Sequence, residues 1–545
     1  MSKASEMAKV SARGGFNLMW GLVTSTAISF FGILVITYIL GAQNYGLYII
    51  AISGPTLIAT FRDWGVNSAM VKYSAQYNVE DKAKIRSIIF SGIVFEITLG
   101  LSLSILSFAI SPFIASSLHR PTIVPMIQIA SFFVLGGALV NSATAAYTGL
   151  EKMHLYSFML IIQSTVKTAL IIGLVLLGFG TLGAVAGYTL ASLIAGSAGV
   201  LLIWTFYRLL PKSETPRKVT STIKTMFWYG LPVSIGTILT AFLSAFYTFA
   251  LGIYVTNNAL VGDYGLATNF SILISFFSIP VTTMLFPAFS KLDYKKDYET
   301  LKNVFRYSVK YASLVVVPVA ALVMALAQPG VRTIYQNSYA EAPLYLVLLA
   351  VTYLYAALGN LSVGNLLNGQ GFTRFNMYLS IIQVAVGFPV GFLLISRFGV
   401  IGLLSSSLTV GFPSLFVGLR FIKKKFGASV DWLSSAKILL SSAIASAFTY
   451  VLNSNLPLTP LRVAFWRIAF HVSVALQQLV IGLIVFIIIF LLAAVLTQTI
   501  NQDEIVSLQE IADSLGPLRR PLRFILNIMA KLMARLHPDK SKENC

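Results

Sequence analysis

Two ionisable side chains lie deep inside apolar stretches of the sequence. Glu96 lies within the stretch 86–111 and Lys167 within the stretch 155–178. At a rise of 1.5 Å per residue, both would sit about 15–18 Å deep in a membrane. Such groups are candidates for function because inserting a charge at this depth costs about 2.5–3.5 kcal/mol. In a functional interpretation Lys167 attracts an anionic group, whereas Glu96 exchanges a proton or binds Na⁺; the structural alternative is a salt bridge between the two.

A second group of charges lies near the cytoplasmic ends of the predicted helices. Arg62 adjoins Asp63, and Arg374 lies at a corresponding depth in the second half of the chain. The planar guanidinium of arginine can bind a phosphate or pyrophosphate through two parallel hydrogen bonds. We therefore predict that Arg62 and Arg374 contact an anionic head group. Anchoring at the membrane surface, or a local Arg62–Asp63 pair, is the structural alternative.

Uncharged amides in the same stretches suit the hydroxyls of a sugar. We select Asn141 and Asn360 as substrate-binding candidates from a set that also contains Asn365, Asn368, Gln163 and Gln383. Amides buried between membrane helices also hold helices together by hydrogen bonds, which is the alternative role.

The elements that must position these residues are membrane helices. Hydrophobic residues make up 57% of the 545 and charged residues only 11%, against roughly 25% charged residues in soluble proteins. A span needs about 20 apolar residues, and fourteen spans can be placed: 16–40, 45–69, 86–111, 122–148, 155–178, 182–207, 227–255, 261–289, 305–327, 344–367, 375–396, 400–421, 436–453 and 468–496. The fold class is therefore all-α, with about 14 transmembrane helices.

The basic residues fix the predicted orientation. One set of alternate loops contains only Arg120, Arg332, Arg397, Arg462 and Arg467 of the 39 lysines and arginines. Apart from Lys167, the others lie in the opposite loops and the termini, which must then face the cytoplasm. We predict a multi-pass protein of the cytoplasmic membrane with both termini in the cytoplasm. The net charge of +20 is explained by contact with membrane lipids rather than by nucleic-acid binding.

An internal repeat divides the chain. Tyr45-Gly46-Leu47 recurs as Tyr264-Gly265-Leu266, and the pair Gly180 and Gly183 recurs as Gly399 and Gly402, each at the same offset along the sequence. Such a constant spacing indicates two parallel-repeat bundles, as in some transporter halves. The predicted domains are a six-helix bundle (1–210), a cytoplasmic linker (211–226), a second six-helix bundle (227–425), two additional transmembrane helices (436–496) and a cytoplasmic amphipathic basic tail (497–545).

Enzyme chemistry has little support in the residues. The outer loops offer only Asp263 and Glu341 as carboxylates, and the chain has no DxD pair and no GxxxxGK[ST] nucleotide loop. The four histidines and the single cysteine, Cys545, form no metal-ligand pattern. We therefore expect no catalytic residue, no metal and no cofactor beyond an H⁺ or Na⁺ used for coupling.

Four segments carry a resemblance to a known family: LGAQNYGLYIIA (40–51), FRDWGVNSAMVKY (61–73), YTGLEKMHLY (147–156) and LLNGQGFTRFNMY (366–378). With the order and number of spans, they resemble the polysaccharide transporters, the Wzx-like flippases of the multidrug/oligosaccharidyl-lipid/polysaccharide (MOP) exporter superfamily. The resemblance implies translocation of a polyprenyl-(pyro)phosphate-linked oligosaccharide, with glycan-assembly enzymes as further partners. The alternatives are an ion-coupled multidrug exporter of the same superfamily and, more remotely, a membrane glycosyltransferase.

Overall fold

The computed structural model describes residues 3–211, 218–465 and 468–499, together with residues 509, 523, 527, 530 and 531. Part of the predicted linker and nearly all of the predicted tail lie outside the described residues. The described part is almost entirely helical, which confirms the predicted all-α membrane class. Its described residues form two compact units, one drawn from the ranges 1–269, 338–342 and 373–414 and the other from the ranges 270–337, 343–372 and 415–545. The predicted domain boundaries stay a prediction.

The helices up to α8 belong to the first unit. They are α1 (Lys3–Ala59), α2 (Val66–Glu80), α3 (Lys82–Ala109), α4 (Ser111–Ser117), α5 (Val124–Gly149), α6 (Met153–Leu174), α7 (Gly180–Leu209) and α8 (Val219–Tyr254). A 3₁₀ turn (Pro121–Ile123) precedes α5, and a π turn (Val175–Phe179) joins α6 to α7.

The remaining elements follow along the chain. They are α9 (Asn258–Ser290), α10 (Tyr298–Tyr335), α11 (Ala342–Tyr353), α12 (Asn360–Gly369), α13 (Thr373–Phe426), α14 (Trp432–Asn455), β1 (Leu461–Phe465), β2 (Ile468–Val472) and α15 (Val474–Leu496). A 3₁₀ segment (Leu354–Leu358) lies between α11 and α12. The two strands pair antiparallel, with Leu461 opposite Val472. β1 lies in a predicted loop, whereas β2 occupies the first residues of the predicted span 468–496, whose helix begins at Val474.

Ten helices of the described part are long and apolar enough to cross a membrane, or eleven if Ala342–Leu358 and Asn360–Gly369, bent by 51°, form one span. Three of the ten contain 42, 57 and 54 residues, and about 20 residues suffice for one crossing. Each of these three contains a glycine with positive φ, at Gly41, Gly180 and Gly399. Division at these glycines would raise the number of spans to thirteen, or to the predicted fourteen if the bent pair is also counted as one span. The count of fourteen stays a prediction.

One pair of equivalent positions in the repeat has matching backbone conformations. Gly180 has φ 50° and ψ −133°, and its equivalent in the second copy, Gly399, has φ 56° and ψ −126°. This region of φ/ψ space is accessible almost only to glycine. The positive φ of Glu151 (58°) likewise recurs at Gly371 (79°), one position beyond the exact equivalent. The local geometry therefore agrees with the duplication inferred from the sequence.

Small residues let the central helices of the first unit approach closely. α5 packs against α3 and α7, and Gly136 and Gly196 bring the backbones of α5 and α7 together. The buried Tyr147 hydroxyl donates to the Gly199 carbonyl oxygen at 2.8 Å. Close contact between small residues is the usual means of helix association in membranes, where the hydrophobic effect between helices is weak. This packing fixes the helices that carry the site described below.

The orientation can be tested with topology reporters. Fusions of alkaline phosphatase after residues 225, 430 and 545 should be inactive, because the basic loops hold these positions in the cytoplasm. Fusions after residues 258 and 458 should be active. The fusions at 430 and 458 form a matched pair, since one helix, α14, lies between them. Activity of the fusion at residue 545 would contradict the even number of spans.

Candidate functional site

The candidate site is built around an interruption in the first membrane helices. α1 ends at Ala59 and α2 begins at Val66, and the intervening turn is closed by the Asp63 carboxylate, which accepts a hydrogen bond from the Gly65 backbone N–H at 2.8 Å. Gly65 has φ 87° and lies against the backbone of Gly230 in α8. A side chain at either glycine would collide with the other backbone, so this close contact requires two glycines.

The turn places an arginine among the helices. The Arg62 guanidinium lies over Gly137 of α5 in space that a side chain at that position would fill. Its Nη1 donates to the Val134 carbonyl oxygen at 3.3 Å. The carboxylates of Glu96 and Asp63 and the hydroxyl of Tyr188 are close enough to interact with the guanidinium electrostatically. The fixed charge is therefore surrounded by groups of opposite polarity.

Glu96 is the completely buried acid of this site. It lies on α3 with no exposed surface, and its Oε1 accepts a hydrogen bond from the Asn67 amide of α2 at 2.9 Å. Within the described part of the chain, Glu96 Oε2, Asn67 Oδ1 and Arg62 Nε have no hydrogen-bond partner. A buried polar atom without a partner costs about 1–3 kcal/mol. The site can therefore gain stability from an ion, a water molecule or a ligand that reaches these atoms.

An open recess of about 210 Å³ adjoins this pair. Its lining comprises Asp63, Asn67, Ser68, Val71, Asn141, Thr144, Ala145, Thr148 and Tyr156. One carboxylate, two amides and several hydroxyls offer both donors and acceptors, the combination that sugar hydroxyls need. Asn67 connects the recess to the buried Glu96, because it lines the recess and also donates a hydrogen bond to Glu96. We refer to Arg62, Asp63, Asn67, Glu96 and Asn141 as the Glu96 cluster.

The structure brings together Arg62, Glu96 and Asn141, three of the six predicted site residues. It does not pair Glu96 with Lys167, which was the structural alternative considered above; Glu96 accepts a hydrogen bond from Asn67 instead. The reason is helix packing: α3 packs against α2 and α5, whereas α6, which carries the half-buried Lys167, packs against α1 and α7. A role of Lys167 in substrate binding stays a prediction.

The other two predicted residues lie apart from the cluster. Arg374 is the second residue of α13 and is exposed in the first unit. Asn360 begins α12, at the 51° bend, and is exposed in the second unit. Sequence analysis missed Asn67 as a site residue. The sequence feature that could have identified Asn67 is its place two residues after Gly65, in a segment that also contains an arginine and an aspartate.

A second polar contact joins two loops that the charge pattern predicts on the outer face. Arg120 donates through Nε to Asn258 Oδ1 (2.9 Å), and through its two terminal nitrogens to the carbonyl oxygens of Leu118, Gly252 and Val255 (each 2.7 Å) and Thr256 (3.0 Å). Desolvation lowers the pKa of Arg120. All five N–H donors of the guanidinium are used, and the acceptors include the last carbonyls of α8. Arg120 therefore fastens a loop of the first repeat to the start of the second.

The outer-face carboxylate Asp263, considered above for catalysis, has a structural partner. Asp263 is buried in α9 and accepts backbone hydrogen bonds from Glu341 and Ala342, at the beginning of α11. A carboxylate in this position satisfies the N–H groups at the start of a helix. One oxygen of Asp263 thus accepts N–H groups at the start of α11, whereas Oδ1 has no hydrogen-bond partner among the described residues.

Known structures share this fold. The chain is similar to the lipid II flippase MurJ in an inward closed conformation, with a TM-score of 0.65, 17% identity and coverage of 88% of this chain and 98% of that one. It is also similar to a multidrug resistance MATE family transporter of the MOP superfamily in an inward-facing conformation, with a TM-score of 0.57, 17% identity and coverage of 74% and 94%. At these identities the likeness concerns the fold alone.

Sequence comparisons identify the family. An uncharacterized membrane protein of Methanocaldococcus jannaschii is 23% identical over 382 residues, 66% of this chain and 73% of that protein. The profile of a family described as polysaccharide biosynthesis protein matches residues 35–344, more than half of the chain and the whole of the Glu96 cluster. This match confirms the resemblance seen in the sequence motifs, and the chain therefore belongs to the polysaccharide biosynthesis protein family.

Proposed function

We propose that the protein moves a polyprenyl-phosphate- or pyrophosphate-linked oligosaccharide from the inner to the outer leaflet of the cytoplasmic membrane by alternating access. The observation that carries the proposal is the Glu96 cluster, in which a fixed arginine adjoins a recess lined by amides and hydroxyls. A glycan with a phosphate cannot cross hydrocarbon without partners for its polar groups. The cluster offers a cation for the phosphate and hydrogen-bonding groups for the sugar.

Alternating access needs a contact that opens and closes. Arg120 is suited to this role, because its acceptors combine the first-repeat residue Leu118 with second-repeat residues such as Gly252 and Asn258. Breaking these bonds would separate the two loops on the predicted outer face. The lipid tail would stay in the bilayer while the polar head group passes between the repeats.

The second candidate function is ion-coupled export of cationic drugs. The observation that favours it is the buried Glu96 carboxylate, with one oxygen lacking a partner among the described residues, in a fold shared with a MATE transporter. A cationic substrate would seek a carboxylate and avoid Arg62. The position of Arg62 beside the same carboxylate therefore favours the anionic glycolipid. Glycosyl transfer has less support, because the predicted outer loops offer only two carboxylates, Asp263 and Glu341.

Substitution of Arg62 tests its proposed contact with the phosphate. In proteoliposomes containing a lipid-linked oligosaccharide, Arg62→Ala should lower the translocation rate about ten- to a hundredfold, since a charge-assisted hydrogen bond contributes about 1.5–3 kcal/mol. Lys167→Ala, on α6, should also lower the rate. The matched control is Arg420→Ala, which removes an exposed arginine of α13 and should leave the rate unchanged. Normal glycolipid transport by Arg62→Ala, or export of cationic dyes but not glycolipid by the unsubstituted protein, would contradict the proposal.

The coupling role of Glu96 has a separate test. Glu96→Gln keeps a carbonyl oxygen for the Asn67 amide but removes the exchangeable proton and the charge. If Glu96 couples transport to H⁺ or Na⁺, translocation by this variant should no longer respond to either gradient. Thermal unfolding of the purified variant serves as the control and should stay close to that of the unsubstituted protein. A gradient response of unchanged size would show that Glu96 is structural.

Loss of the Arg120 contact should favour separation of the outer loops. In a Cys545→Ser background, spin labels at Phe113→Cys and Asn257→Cys report the distance between α4 and the loop before α9; both positions are exposed. Arg120→Gln should broaden this distance distribution and shift it to longer values. Arg397→Gln, which removes another exposed arginine of the predicted outer face, is the control. Identical distributions for all three proteins would rule out Arg120 as part of a gate.

A further inference from the structure

The hydrogen bond between Asn67 and Glu96 has an unsatisfied acceptor on each side. Asn67 Nδ2 donates to Glu96 Oε1 at 2.9 Å. The other oxygens of the two groups, Glu96 Oε2 and Asn67 Oδ1, are buried and have no hydrogen-bond partner in the described part of the chain. Each is bonded to the same carbon as one of the two atoms that form the hydrogen bond. A single hydrogen atom between these two oxygens would therefore satisfy both, and buried acceptors left without a partner are costly.

The charges around Glu96 also favour an added proton. The charged groups that interact with Glu96 are Arg62 and Asp63 of the turn. If Glu96 is ionised, one cation faces two carboxylates, and one negative charge is left uncompensated at a depth where charge is expensive. Protonation of Glu96 leaves Arg62 and Asp63 as a balanced pair.

The helices packed on α3 bring no further charge to this group. α5 carries no charged residue, and α1 carries none after Arg13. Lys72 of α2 and Lys224 of α8 are both exposed, and neither is among the groups that interact with Glu96. The proton balance of Glu96 is therefore set by Arg62, Asp63 and the Asn67 amide.

The packing suits a proton better than a larger occupant. Glu96 has no exposed surface, and both unsatisfied oxygens are buried. A water molecule or a Na⁺ ion needs space beside these oxygens, whereas a proton needs none. Na⁺ also needs several oxygen ligands, as in transporters that bind it with unwound backbone carbonyls. The guanidinium of Arg62, which interacts with the same carboxylate, would repel a metal cation.

We propose that Glu96 is protonated in this conformation and forms a carboxylic acid–amide pair with Asn67. The Glu96 Oε2–H group donates to Asn67 Oδ1, while the Asn67 Nδ2–H group donates to Glu96 Oε1. A protonated carboxyl group has one donor in addition to its acceptors, so the two side chains match each other. Buried carboxylic acids that stay neutral and donate a hydrogen bond are known in apolar sites. Asn67 is then the residue that positions the proton.

The pair links this proton to the recess, because Asn67 also lines the recess. A recess ligand that binds the Asn67 amide removes the partner of the acid O–H group, and Arg62 then favours the ionised carboxylate. Ligand binding and proton release are thereby coupled, and the coupling is reciprocal. The assignment of H⁺ rather than Na⁺ as the coupling ion rests on the transport function proposed above, whereas the acid–amide pair does not.

Infrared spectroscopy of the purified full-length protein tests the pair without any glycolipid. A protonated carboxyl group has a C=O stretching band that an ionised carboxylate lacks. At neutral pH the unsubstituted protein should show this band, and Glu96→Gln should lose the intensity of one carboxylic acid per molecule. Glutamine can form the matching amide–amide pair with Asn67, so this variant should fold. Asp263→Asn, which removes another buried carboxylate, is the control and should keep the Glu96 band.

The role of Asn67 has its own measurement. Asn67→Leu keeps a similar volume but removes the amide, so the Glu96 band should move to higher wavenumber as its C=O group loses the N–H donor. An unchanged frequency in this variant would overturn the pairing with Asn67. Equal spectra of the unsubstituted protein and Glu96→Gln would show that Glu96 is ionised and would overturn the proposal as a whole.

Replacement of choline chloride by NaCl distinguishes the two ions. The Glu96 band should be the same in both salts, and its loss in NaCl would assign the site to Na⁺ and overturn the proton assignment. The spectra are independent of transport. A protein that shows the band but moves no lipid-linked oligosaccharide would contradict the proposed function and leave the acid–amide pair in place.

Discussion

A membrane helix that is interrupted must find partners for the backbone groups that the interruption releases. In the first unit this constraint determines the site, because the turn between α1 and α2 leaves an N–H group that the Asp63 carboxylate satisfies. The same turn directs Arg62 to α5, where its guanidinium needs a carbonyl oxygen and nearby carboxylates. The Gly65–Gly230 contact leaves room for the turn. The polar chemistry of the site thus follows from a break in a helix.

The cluster belongs to one repeat. At the offset that relates the two copies, Arg62 corresponds to Val281, Asn67 to Phe286 and Glu96 to Val315. Apolar residues therefore occupy the second copy of a site whose polar members lie in the first. The backbone conformations of Gly180 and Gly399 match, as the predicted repeat would require.

The sequence predicted the helical membrane class, and it singled out Arg62, Glu96 and Asn141 as candidates in three separate groups that the structure places together. These predictions depend on composition, on glycines that recur at a constant offset, and on the depth of a residue in the membrane. That depth follows from the position of the residue in its helix and the rise per residue. The pairing of Glu96 was not predictable in the same way. Depth places Glu96 and Lys167 at one level, but it does not say which helices are neighbours. Contacts between small residues help to decide the neighbours: Gly100 of α3 packs on Ala138 of α5, and Gly149 of α5 packs on Ser74 of α2. In this arrangement Asn67 rather than Lys167 lies beside Glu96.

The saturation of Arg120 has a consequence for the opening of the outer loops proposed above. Because all five of its N–H groups are engaged with five different acceptors, a small displacement of either loop disturbs several bonds together. A partly displaced guanidinium would keep some donors desolvated without partners, which is less favourable than either full engagement or full hydration. The contact therefore resists gradual loosening. It favours two discrete states with a barrier between them, and thermal fluctuation alone should rarely leave the loops halfway apart.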